Sequence, residues 1–274
     1  MARAWAPGHV TCFFSAVERD DPLEAGSRGA GITVEDGVTV EVEPADATTV
    51  AVDGEPAQVG VVERLFAMLD VEAEVTIAND VPVGCGFGAS GAAVLASALA
   101  ADEAFALDRD REQLVAAAHA AEVREGTGLG DVVPQSLGGI VTRVHAGTLG
   151  IGDFGSLDVP DDLALGYTAF GELDTADVLG DDETMAAVNE AGDDALDALL
   201  RDPALDTLFE RSWKFARRTG LVTERVASTV AEAHRSGGTA TMAMLGETAM
   251  GVGADGVFEE VTTVADEGAR LLDD

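Results

Sequence analysis

The chain has 274 residues, 47% of them hydrophobic, which allows a sizeable core in one large or two modest domains and is too apolar for intrinsic disorder. No apolar run reaches the ~20 residues of a membrane span, and the opening Met1-Ala-Arg-Ala-Trp-Ala-Pro7 lacks the apolar stretch of a secretory signal, so a cytoplasmic protein is expected. The 51 acidic side chains outnumber the 16 basic ones for a net charge of −35, which argues against nucleic-acid binding, where clustered Lys and Arg hold the phosphates.

In chain order, the first third predicts short β-branched strands at 31–34, 38–42 and 49–52, with turn chemistry at Glu35-Asp-Gly37 and Asp53-Gly54. A helix is expected over about 59–69, with Val62, Leu65, Phe66 and Leu69 on one face, then a strand at 74–78. A glycine-rich turn leads into a small-residue helix over about 89–104. A second helix follows over about 111–124, with Asp108 or Asp110 as its N-cap. A strand is expected at 140–144. The shift to Gly, Asp and Pro over 146–160 marks a domain boundary, dividing the chain into 1–150 and 151–274. Beyond it come a strand at 163–170, acidic helical segments through much of 183–235, a glycine-rich hairpin at 237–253 and a terminal helix near 264–272. Strands and helices do not alternate regularly, which favours an α+β fold over a doubly wound sheet.

The charge has a second reading. The acids are spread along the whole chain and Lys214 is the only lysine, a pattern that fits adaptation to a salty cytoplasm. Self-repulsion opposes compaction at low salt, and it weakens as the Debye length falls to about 3 Å near 1 M. Cys12 and Cys85 stand far apart and the four histidines are scattered, so neither a disulfide nor a zinc site is expected.

Chemistry concentrates in four segments. In Pro82-Val-Gly-Cys-Gly-Phe-Gly-Ala-Ser-Gly91 a strand leads in, glycines let a ligand approach the backbone, and a helix leads out. Successive N–H groups and the helix's positive end make an anion site, to which Ser90 adds a hydroxyl. The segment lacks the GxxxxGK[ST] spacing and the lysine of a Walker A loop. A GxGxxG match from Gly86 to Gly91 leaves a dinucleotide site as an alternative, but no parallel βαβ unit with an acidic partner follows. In Glu122-Val-Arg-Glu-Gly-Thr-Gly-Leu-Gly-Asp131 a glycine loop can aim Asp131 into a cleft, near a helix that carries Glu122. Phosphoryl transfer needs such a pair, one carboxylate on magnesium and one near the substrate hydroxyl. His9, in Ala6-Pro-Gly-His-Val-Thr11, is either a substrate contact or a satisfied strand-end histidine. The run from Ser236 to Met250 supplies further glycines and hydroxyls ahead of an apolar segment.

In this order and spacing the segments resemble the GHMP kinase superfamily. Pro82, Gly86, Gly88 and Ser90 match its second motif, Ala6-Pro-Gly8 its first, and Gly237 to Gly246 its third. The runs Pro7 to Thr11, Gly84 to Gly91 and Thr127 to Gln135 are similar to members that phosphorylate a small hydroxy acid on its terminal hydroxyl, a step towards coenzyme A in archaea.

The resemblance implies an N-terminal ribosomal-protein-S5-like domain and a C-terminal ferredoxin-like domain, with ATP and Mg²⁺ as cofactors. It implies that Pro82, Gly84, Gly86, Phe87, Gly88, Ala89, Ser90 and Gly91 bind ATP, that Ser90 and Glu122 hold the metal, and that Asp131 is catalytic. His9, Thr11, Arg28 and Gly130 would face the substrate. Arg3, Arg19, Arg28 and Arg143 are the cations available for a substrate carboxylate, and Arg28 is preferred. Members often form homodimers, so a homodimer is expected.

The sequence departs from mevalonate-kinase-like members at His9, where they carry lysine, and at Phe14-Ser-Ala16, where they carry Gly-Glu-His. Both departures argue against mevalonate kinase and galactokinase. The rivals are another kinase of this fold, acting on homoserine, shikimate or an isoprenoid alcohol, and a non-catalytic nucleotide-binding protein.

Overall fold

Two long strands, β1 (Ala2–Val17) and β2 (Gly26–Pro44), open the chain and pair antiparallel along nearly their whole length in this computed structural model. The structure describes residues 1–160, 162–172 and 182–273. The two short strands expected around Glu35-Asp-Gly37 are one strand with a bulge. The register steps from Pro7 opposite Gly37 to Gly8 opposite Val34, so Glu35 and Asp36 are extra on β2. The bulge bends β2, as an insertion into a ladder does. Its first half pairs with β6 (Ile140–His145), its second with β5 (Ala73–Asn79).

The first sheet runs β12 (Arg270–Leu272), β1, β2, β5, β3 (Thr49–Val52), β4 (Glu55–Ala57), with β6 and then β7 (Asp153–Leu157) branching from β2. Helices α1 (Gly60–Leu69) and α3 (Arg111–Glu125) pack on α2 (Ala89–Phe105), which with the short α4 (Val132–Leu137) lies against this sheet. α1 buries Val62, Leu65, Phe66 and Leu69, the expected face. α3 starts at Asp110, which closes a capping box with Gln113. α2 is buried on all sides from Gly91 to Ala101, and its Ala, Gly and Ser side chains let sheet and helices close in around it.

The second sheet, β11 (Glu260–Thr263), β8 (Ala164–Glu172), β10 (Gly246–Val252), β9 (Thr239–Ala243), is antiparallel throughout. It accompanies α5 (Asp182–Arg201), α6 (Leu205–Arg218) and α7 (Glu224–Arg235). α5 rests on the end of β1, where Asn189 Oδ1 accepts from the Ala16 N–H at 2.8 Å and a Cβ on Gly192 would collide with the Phe14 carbonyl. On α6, Ser212 donates to the Cys12 carbonyl at 2.8 Å. The composition shift at 146–160 leads into β7, and the chain returns to the first sheet there and again at β12. No helix among the described residues is long and apolar enough to cross a membrane.

The tail is not the expected helix. Val264 bridges Val34, and Arg270–Leu272 pair with Arg3–Trp5. Backbone bonds from Gly139 to Ala265 (2.6 Å) and from Ala269 to Gln135 (2.8 Å) thread the tail past the end of α4. Gly268 lies so close to Ser136 that a Cβ would collide. These long-range pairings outweigh a weak local helical pattern.

Candidate active site

The glycine run forms the floor of a cavity. Gly84, Gly86 and Gly88 take positive φ of 76°, 87° and 61°, conformations that glycine adopts without strain. Gly88 is the N-cap of α2 and no side chain caps the helix, so its first N–H groups stay open to a ligand. Bulk is excluded too: a Cβ on Gly84 would strike Glu172, and one on Gly86 would lie 2.9 Å from the Met244 carbonyl. The loop is held on both sides. The His9 N–H donates to the Phe87 carbonyl at 2.8 Å, Gln135 Nε2 donates to the Gly88 carbonyl at 2.8 Å, and Thr248 donates to the Cys85 carbonyl at 2.8 Å. The Phe87 ring meets Tyr167 edge-on at 4.9 Å.

Sheet geometry supplies the opposite wall. Register sets His9 against Thr33, Thr11 against Gly31, Phe14 against Gly29, and Gly29 against Arg143. Side chains alternate along a strand, and a register shift between Thr11 and Phe13 changes the phase of β1, so His9, Thr11, Phe14, Ser27 and Arg143 share one face. Arg28 falls on the other. Its Nε donates to the Val144 carbonyl at 2.9 Å and its Nη1 pairs with Asp193 on α5 at 2.8 Å. The cation facing the cavity is therefore Arg143 and not Arg28. Arg143 is 2% exposed, and its Nε and Nη1 have no hydrogen-bond partner.

Asp131 is the N-cap of α4 but makes no cap bond. Its Oδ1 accepts instead from His9 Nδ1 at 2.6 Å and, at the long limit, from Thr11 Oγ1 at 3.4 Å. Burial alone would raise the Asp131 carboxyl; the His9 bond, the Arg143 charge and the Thr11 hydroxyl outweigh it and hold the group below its ordinary value. Burial lowers His9 in spite of Asp131, so a neutral ring donates from Nδ1 to an ionised carboxylate.

Glu122 behaves in the opposite way. Burial and then the Asp131 charge push it up to about 8, against the pull of the nearby Ser90 hydroxyl. Neither Glu122 oxygen nor Ser90 Oγ completes a hydrogen bond. Gly128 makes room for that carboxylate, since a Cβ there would overlap it. These three unpartnered, buried oxygens are hard donors of the kind Mg²⁺ accepts alongside phosphate oxygens. The donor set therefore fits the metal.

One cavity of about 240 Å³ gathers these groups. Gly84, Gly86, Phe87, Gly88, Ala89 and Ser90 line one side of it, with His9, Thr11, Glu122, Gly130 and Asp131 around them. Pro82 and Gly91 lie just outside the lining; Gly91 is held close against Gln135, Asp131 and Glu122. Sequence reasoning missed Ser27, Glu172, Met244 and Leu245, which also line the cavity, and Gln135, which braces the loop. Gln135 had a local signal, one helical turn beyond Asp131. Met244 and Leu245 fall inside the Ser236 to Met250 run, whereas Ser27 and Glu172 carry no local signal, because folding across the chain places them.

Residues 58–139 match the family model of the GHMP kinases N terminal domain. The chain is 30% identical over 267 residues to the pantoate kinase of Methanocaldococcus jannaschii, covering 95% of this chain and 96% of that protein. It is 35% identical over 235 residues to the pantoate kinase of Thermococcus kodakarensis, covering 81% and 77%. A solved structure described as a phosphotransferase related to the CoA biosynthesis pathway superposes with a TM-score of 0.86, at 28% identity over 98% of each chain. A mevalonate diphosphate decarboxylase from Staphylococcus aureus, with a TM-score of 0.71, 13% identity and coverage of 99% and 98%, shares the fold alone. With its α+β fold, glycine loop and cavity, this chain belongs to the pantoate kinase family of the GHMP kinases.

Proposed function

We propose that the protein transfers the γ-phosphoryl group of ATP to the terminal hydroxyl of (R)-pantoate, giving 4-phosphopantoate and ADP for archaeal coenzyme A synthesis. One observation carries the reading: an open helix N-terminus, an ionised Asp131 and an unpartnered Arg143 line the same cavity. An anion nest alone would serve any phosphate binder. Joined to a proton acceptor and a buried guanidinium, it suits a substrate with a hydroxyl at one end and a carboxylate at the other.

In the proposed reaction the N–H groups from Gly84 to Ser90 cradle the ATP phosphates. The pantoate carboxylate pairs with the guanidinium of Arg143, whose Nε and Nη1 have no partner within the protein. Asp131 orients the hydroxyl and accepts its proton as that oxygen bonds to the γ-phosphorus and the bond to the β-phosphate oxygen breaks. Thr11 and Gly130 border the substrate. Glu122 and Ser90 would hold Mg²⁺, which when bound neutralises charge on the β- and γ-phosphates.

We place the protein in the salt-rich cytoplasm of an archaeal cell, on its charge and its archaeal relatives. A homodimer rests on family likeness, and light scattering in molar KCl decides it. The test of function is ADP release from ATP with pantoate, homoserine, shikimate and mevalonate as acceptors. Pantoate is expected to give the highest kcat/KM. A faster acceptor would overturn the substrate, and no turnover with any acceptor would overturn the kinase.

A further inference from the structure

The carboxylate assigned to the proton has no grip on its own helix. Asp131 accepts nothing from the first turn of α4, so its orientation is set from across the cavity. Both hydrogen bonds it accepts fall on Oδ1, and only the one from His9 is short. Oδ2 is left for a ligand, on a side chain that keeps 25% of its surface open while the His9 side chain keeps none.

The His9 ring is locked in turn. Nε2 lies against Gly31, where a Cβ would overlap it, and it finds no hydrogen-bond partner. The His9 backbone N–H is tied to the Phe87 carbonyl in the phosphate loop. Leaving a buried ring nitrogen unsatisfied is costly. The compensation lies at the other nitrogen, which holds Asp131.

We propose that His9 is a positioning residue for phosphoryl transfer: its Nδ1–H fixes Asp131 through Oδ1 so that Oδ2 faces the acceptor hydroxyl. Its backbone bond to Phe87 references that carboxylate to the loop that holds the phosphates. The inference rests on the proposed role of Asp131. A misplacement of about 1 Å at such a group costs on the order of 100-fold in rate.

Three variants test it, assayed in molar KCl with ATP and whichever acceptor the wild type uses fastest. His9→Asn places an amide N–H near the Nδ1 position, His9→Gln sends its amide towards Nε2 and Gly31, and His9→Leu offers no donor. His9→Leu is expected to lower kcat roughly 100-fold with the KM for ATP within about twofold. His9→Asn is expected to recover at least about tenfold of that loss, and His9→Gln is not. If the Leu variant does not fold, the Asn and Gln variants carry the comparison. A Leu variant with kcat within about threefold of wild type, or equal kcat for Asn and Gln, overturns the inference. A preference for an acceptor other than pantoate overturns the substrate alone. A wild type inert with every acceptor overturns the kinase reading and this inference together.

Discussion

Asp131 and Glu122 share one cavity, yet their surroundings drive them apart. Asp131 keeps its charge because a neutral histidine donates to it and a guanidinium lies near, whereas Glu122 meets burial and a like charge. Titratable groups pushed apart in this way mark a division of labour in a site. Asp131→Ala is therefore expected to lower kcat by about 10³-fold, the range of a lost proton acceptor. Affinity for a non-hydrolysable ATP analogue should stay within about threefold, because the loop N–H groups hold the phosphates without it. Titration calorimetry beside single-turnover kinetics separates the two effects, and near-wild-type turnover would remove Asp131 from the chemistry. At this scale the sequence was informative where one segment carried the whole signal. Asp131 follows three glycines within five residues, and Gly84 to Ser90 precede a helix. The choice between Arg28 and Arg143 was not legible. It depends on Gly29 lying opposite Arg143 across two strands distant in sequence, which puts neighbours on opposite faces.

Among the elements, the contact between the two sheets decides how well the phosphate loop is held. The turn from β9 to β10 sits directly on the loop. Met244 donates its N–H to the Thr11 carbonyl at 3.0 Å, Thr248 bonds the Cys85 carbonyl, and Gly246 lies so close to Cys85 that a Cβ would overlap its backbone. Leu245 in this turn has a φ of 63°, unusual for a branched side chain, and it lines the cavity. Gly246→Ala must push hairpin and loop apart, since backbone rather than a flexible side chain is in the way. Overpacking of this kind costs about 1–3 kcal/mol, or a fall in Tm of roughly 2–4 °C per kcal/mol at this size. ATP affinity is expected to fall about tenfold with it, as the N–H groups lose their convergence. An unchanged ATP affinity at a lowered Tm would show that the hairpin supports the fold but not the loop. Element types were readable where the pattern was strong, as in α1 and the capped α3. The tail misled because Val264 to Leu272 contains helix-forming residues, while its structure is fixed by pairing with β1 and by bonds to Thr33, Gln135 and Gly139.

At the scale of the whole molecule the net charge of −35 dominates. Among the described residues only Glu122 and Glu247 are buried acids, so the charge lies on the surface, where solvent ions reach it. A chain of this length folds to a radius of gyration of about 19 Å. In 0.01 M salt the Debye length, about 30 Å, exceeds that radius, and every carboxylate repels every other. Near 1 M it shrinks to about 3 Å, and each charge feels only its neighbours. Unfolding separates the charges and relieves the repulsion, so dilute salt favours the unfolded chain. Tm is accordingly expected to rise steeply from dilute to molar KCl, and a flat profile would sink this account. Salt also strengthens apolar burial when its ions are excluded from the surface, most of all with sulfate. The two causes separate on comparing KCl with K₂SO₄. Screening predicts nearly equal Tm at equal ionic strength, with most of the gain below about 0.5 M, where the Debye length shortens fastest. Exclusion predicts a gain that keeps climbing with concentration and is larger in sulfate. Equal profiles at equal ionic strength would assign the salt requirement to the carboxylate surface, and a clear sulfate advantage would assign it to the core.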